Sequence, residues 1–88
     1  MIKVGIVDDH AIVRSGLRQF IGEHVDLKVT GEANNGREAL ELVRAGEVDV
    51  LLMDLSMPEH GGVDALQAIK ARFPELPVLI LSGFPEAQ

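Results

Sequence analysis

Three apolar runs, Val4-Gly5-Ile6-Val7, Val50-Leu51-Leu52-Met53 and Val78-Leu79-Ile80-Leu81, restrict this chain more than any other feature. Each is too short for a buried helix, and each is set off from the next by segments that read at helical spacing. A strand that is apolar at every position must be covered on both faces, and parallel sheets with helices above and below meet that demand.

The intervening segments supply those helices. Behind the first run, Val13, Leu17, Phe20 and Ile21 recur at steps of four, three and one, which predicts an amphipathic helix stopped near Gly22. Leu27 to Ala33 alternates, with Leu27, Val29, Gly31 and Ala33 on one face and Lys28, Thr30 and Glu32 on the other, as in a half-solvated strand. Asn35-Gly36-Arg37-Glu38 resembles a capping box opening a second helix, with Ala39, Leu40 and Val43 inward and Gly46 closing it. A turn with Pro58, Gly61 and Gly62 leads to a third helix, with Val63, Leu66 and Ile69 on one face, that halts before Pro74. The order β-α-β-α-β-α-β predicts an α/β fold with a flavodoxin-like parallel sheet in strand order 2-1-3-4. The alternating second strand takes an edge. Ligands of such sheets bind at the carboxyl ends of the strands where the winding reverses, here between strands one and three.

Bulk properties narrow the function. Fourteen acids against eight bases give a formal charge of −6, which argues against direct binding to nucleic acid or to an anionic membrane surface. The absence of cysteine excludes a disulfide framework. No apolar run reaches the roughly 18 residues of a membrane span, and Met1-Ile2-Lys3 lacks a signal-peptide pattern, so a cytoplasmic location is expected.

Asp8 and Asp9 end strand one and Asp54 ends strand three, and neighbouring strands lie about 4.8 Å apart, so three carboxylates converge on one crevice. Their repulsion demands a retained proton or a hard cation, and an all-oxygen set with room for water suits Mg²⁺. A carboxylate beside Mg²⁺ can attack an incoming phosphoryl group. Taken singly, Asp8 or Asp9 could cap the first helix and Asp54 could be one more loop acid; it is the convergence that points to chemistry. His10 and His60 have no second nitrogen or sulfur donor to pair with and are assigned none. Ser82, at the end of strand four, is either a strand-end hydroxyl bonded to backbone or a contact for a phosphoryl oxygen.

Val7-Asp8-Asp9-His10 with Val13-Arg14-Ser15-Gly16-Leu17, Gly31-Glu32-Ala33 with Gly36 and Glu38-Ala39-Leu40, Met53-Asp54-Leu55-Ser56-Met57-Pro58 with Gly61-Gly62, and Pro77 through Ser82 resemble response-regulator receiver domains of the NarL/FixJ type. The resemblance extends along essentially the whole chain. It implies that Asp54 is phosphorylated, that Asp9 and Asp54 bind Mg²⁺ directly, that Asp8 acts through a metal-bound water, and that Ser56 lends its backbone carbonyl. Ser82 matches the hydroxyl that moves onto the phosphoryl group. The implied donor is a sensor histidine kinase or a small acyl phosphate, and the implied output is a DNA-binding domain. Such receivers are not enzymes in the ordinary sense, though they take part in their own phosphorylation and dephosphorylation.

A receiver ordinarily continues through a fourth helix, a fifth strand ending in a lysine, and a fifth helix. The lysines here are Lys3, Lys28 and Lys70, none after Ser82. Residues 1–88 are therefore expected to be a partial receiver without an output domain, to acquire little or no stable phosphate from acetyl phosphate, and to self-associate through its fourth strand. A corrinoid-binding domain would need glycine where Val13 stands, and a haloacid-dehalogenase phosphatase would need aspartate in place of Ser56. The alternative from another class is a phosphorylation-independent interaction or dimerisation module.

Overall fold

A computed structural model of the chain describes residues 1–54 and 62–82. The elements are β1 (Ile2–Val7), α1 (Ala11–Gly22), β2 (Leu27–Ala33), α2 (Gly36–Arg44), β3 (Val50–Asp54), α3 (Gly62–Arg72) and β4 (Val78–Ser82). Every strand pair is parallel, and the sheet runs β2-β1-β3-β4, the flavodoxin-like order expected. Ser56, Pro58, His60, Gly61 and Pro85 lie outside the described residues.

The strands divide their side chains between two layers. On one face Val7, Leu51 and Met53 pack with Ala39 and Val43 of α2 and with Ala65 and Ile69 of α3. On the other, Val4 and Ile6 pack with Ile21 of α1, joined by Leu17, Leu27, Val29, Val50 and Leu52. Ile6, Leu51, Met53 and Ile69 are completely buried, and each such side chain contributes roughly 1.5–3 kcal/mol by leaving water. Gly5 marks the closest approach of β1 to this packing: a Cβ there would stand 2.9 Å from Val48, 3.0 Å from Leu51 and 3.1 Å from Leu42.

Three local readings change. The face assignment of β2 does not hold along its length, because the register with β1 jumps from Val4↔Val29 to Gly5↔Gly31 and leaves Thr30 as an extra residue. Such a bulge exchanges the faces beyond it. Leu27 and Val29 therefore join the α1 layer, whereas Ala33 belongs to the α2 and α3 layer and Gly31 faces Leu42 of α2. The capping box is also displaced by one residue. Asn35 accepts from the Glu38 N–H, but Glu38 returns its carboxylate to the N–H of Asn34 rather than of Asn35. Lastly, the α1 stripe is only half engaged: Ile21 is buried and Leu17 packs beside it, but Phe20 and Val13 are exposed.

Candidate functional site

The carboxyl ends of β1 and β3 meet where the winding reverses. Val7 pairs with Met53, so the next residue on each strand, Asp8 and Asp54, stands at the same level of the sheet. On the far side β3 pairs Asp54 with Ser82, after a register shift between Met53 and Asp54, which brings the backbone of Ser82 beside Asp54. Asp8 and Asp54 are both buried, at 1% and 6% exposure, and are the only buried charged residues among those described.

Asp8 is held from several directions. Its N–H donates to the Ala33 carbonyl of β2 at 3.0 Å. Its Oδ1 accepts the His10 N–H at 2.7 Å and lies 3.0 Å from His10 Nδ1. The same Nδ1 stands 2.9 Å from Asp9 Oδ1. His10 is the N-cap of α1 and its side chain makes no capping bond, so the imidazole is turned to the acid pair instead. One ligand atom from each of Asp8, Asp9 and His10 lies within 4.8 Å of the others. The pKa of His10 is raised above its ordinary 6.5, chiefly by the hydrogen bond to Asp8, then by the charge of Asp9, with Asp54 adding a smaller contribution.

The sequence reading gave His10 no role, and the structure brings it into contact with both acids. Its signal was adjacency alone, since a histidine directly after two strand-end acids needs no long-range fold to reach them. Arg14 was also given no separate role. One turn along α1, its guanidinium donates to the Asp8 carbonyl at 2.6 Å, to Glu32 Oε1 at 3.2 Å, and to Asn34 Oδ1. Lys70, by contrast, is spent on the α3–β4 connection, donating to the carbonyls of Pro74 and Leu76.

Among the described residues the cluster able to hold a metal ion is Asp8, Asp9 and His10, with the buried Asp54 at the end of the neighbouring strand, and the carboxylate oxygens of such a group suit a small divalent cation that keeps part of its water shell. No described helix is long and apolar enough to cross a membrane.

Comparison with known proteins agrees with this fold. Residues 4–88 match the family described as response regulator receiver domain. The response regulator UvrY of Escherichia coli O6:H1 is 42% identical over 86 residues, a stretch that is 98% of this chain and 39% of that protein. The response regulator domain of Thermotoga maritima CheB superposes with a TM-score of 0.85 at 36% identity, over 93% of this chain and 60% of that one. The signal receiver domain of the putative response regulator NarL from Mycobacterium tuberculosis superposes with a TM-score of 0.81 at 36% identity, over 97% of this chain and 68% of that one. The chain spans about two fifths of the length of the curated relatives it matches.

Proposed function

We propose, on the premise that this chain belongs to the response regulator receiver domain family, that Asp54 is its phosphoacceptor and that phosphorylation of Asp54 governs an output domain that binds DNA. The observation that carries this reading is that Asp8 and Asp54, two buried carboxylates, each follow directly on the paired residues Val7 and Met53 at the reversal point between β1 and β3. Burying two acids together is costly unless a cation offsets them. Their donor set fits Mg²⁺, with Asp9 and Asp54 as direct ligands, Asp8 acting through a water, and Ser56 supplying its backbone carbonyl. When bound, Mg²⁺ supplies positive charge against which the phosphoryl oxygens are neutralised.

The chain's own part is nucleophilic. A carboxylate oxygen of Asp54 forms a bond to phosphorus while the bond from phosphorus to the donor breaks, and that electron pair leaves with the donor. A phosphohistidine of a sensor histidine kinase loses imidazole in this way; a small acyl phosphate loses a carboxylate. Ser82, whose backbone pairs in register with Asp54, is the residue we assign to contact the phosphoryl group of the product.

Incubation with acetyl phosphate and Mg²⁺, read by intact mass, tests the assignment. One phosphoryl group that disappears in Asp54→Asn supports it, and undiminished labelling of Asp54→Asn refutes it. A phosphorylation-independent docking module is the second reading, favoured by the exposure of Leu79, Ile80 and Leu81 on β4. Beryllofluoride, a mimic of the phosphoryl group, separates the two: tight Mg²⁺-dependent binding at Asp54 supports the phosphoacceptor, and none favours docking alone.

A further inference from the structure

Arg14 makes contacts that the metal and phosphoryl chemistry does not account for. Its guanidinium bonds to three residues, one in the turn after β1 and two at the end of β2. Nη1 donates to the main-chain carbonyl of Asp8 at 2.6 Å and to the side-chain oxygen of Asn34 just beyond β2, while Nε donates to Glu32 on β2 itself. Asn34 is in turn fixed to α2, because Glu38 Oε1 accepts from its N–H at 2.8 Å and from its Nδ2 at 3.3 Å. Glu38 closes the path by donating its own N–H to Asn35 Oδ1 at 2.9 Å. The Arg14 side chain is 17% exposed, against 52% for Arg18, which donates to the other carboxylate oxygen of Glu32.

The carbonyl of Asp8 and the N–H of Asp9 belong to one planar peptide unit. Whatever fixes the direction of that carbonyl also fixes the plane from which the Asp9 side chain departs. The other end of Asp8 is already tied to Ala33 by its N–H. With the peptide units on both sides of the Asp8 Cα held, the Asp8–Asp9 peptide has little freedom to rotate.

We propose that Arg14 is a positioning residue for the acid pair: by gripping the Asp8 carbonyl together with Asn34, it sets the direction in which Asp9 reaches into the cation site and ties that direction to the N-terminus of α2. This rests on the reading of Asp8, Asp9 and Asp54 as an Mg²⁺ site. Arg14 touches neither the cation nor the phosphoryl group and acts through the peptide it holds. Outer partners of this kind typically change metal affinity by about tenfold or more when removed.

The test is Mg²⁺ affinity, followed by amide NMR shifts of the chain, for the unsubstituted protein, Arg14→Ala, Arg14→Lys and Arg18→Ala. Arg14→Ala is expected to weaken Mg²⁺ by about tenfold and to move the Asp9 and His10 amides. Arg14→Lys, which keeps the charge but cannot hold two oxygens with one fork, should fall between. Arg18→Ala should bind Mg²⁺ as the unsubstituted chain does, although it too removes a bond to Glu32. Equal affinities in Arg14→Ala and the unsubstituted chain overturn the inference, as does an equal loss in Arg18→Ala, which would point to surface charge. If Arg14→Ala does not fold, Arg14→Lys decides, and an affinity equal to the unsubstituted chain's overturns the inference. Absence of Mg²⁺ binding in the unsubstituted chain overturns the parent reading and this one with it, a result distinguishable from failure of Arg14 alone.

Discussion

His10 holds its Nδ1 3.0 Å from the carboxylate of Asp8, a group that is 1% exposed, while the imidazole itself stays 58% exposed. One partner is locked in the sheet and the other can be reached by solvent, so the pair is sensitive to pH from the histidine side. Because the folded-state pKa of His10 is raised above 6.5, the stabilisation it contributes is fully present below the unfolded value. That contribution is lost as pH rises through the folded pKa. An NMR titration of the imidazole should give a midpoint above 6.5, and Asp8→Asn should bring it down, since the bond to Asp8 is the largest cause. A midpoint at or below the ordinary value would contradict the arrangement.

The same geometry ranks the acids and the imidazole as cation ligands. Asp9→Ala removes a negative charge from a partly exposed site, a loss worth roughly 1–4 kcal/mol against a nearby charge, or about fivefold or more in affinity. His10→Ala removes no negative charge. Calorimetric titration with Mg²⁺ should therefore show a clearly weaker Asp9→Ala and a much smaller effect in His10→Ala. Equal affinities would remove Asp9 from the ligand set.

The bulge at Thr30 creates a packing constraint on the following residue. A Cβ on Gly31 would collide with the side chain of Leu42, and overpacking of this sort typically costs about 1–3 kcal/mol. Gly31→Ala should lower stability by that amount in urea unfolding. Combined with Leu42→Ala, which removes the colliding atoms, it should cost distinctly less than the sum of the two single changes. Strict additivity would mean that the strand shifts instead.

Much of this was legible in the chain because apolar periodicity reports the faces of elements. The runs at Val4, Val50 and Val78 marked parallel strands, and the two strand-end acids and Asp54 followed from strand order. The bulge was not legible, since Leu27 to Ala33 alternates by sequence whether or not Thr30 is paired. The contacts of Arg14 were equally hidden, whereas His10 announced itself only by standing directly after the two acids. Each depends on a rotamer at the β1–α1 turn rather than on any repeat, and for a long side chain such as Arg14 many rotamers are open until Asn34 and Glu32 are in place.

The last expectation concerns β4, which forms one edge of the described sheet. Leu79 and Leu81 are 57% and 42% exposed and Ile80, on the opposite face, is 37% exposed, so among the described residues the strand is open on both sides and has no partner strand along its outer edge. Leu79 and Leu81 also border an apolar groove of about 640 Å³ whose floor includes Val4, Leu17, Phe20, Val50 and Leu52. An unpaired strand edge next to an apolar hollow recruits another strand. The simplest arrangement joins two copies about a two-fold axis, because a closed pair covers the exposed patch on both at once. Sedimentation of the 88-residue chain at micromolar concentration should show a dimer, and Ile80→Lys should return it to monomer by placing a charge in the shared strand. A monomeric chain with cooperative unfolding at that concentration would show that β4 does not recruit a second copy.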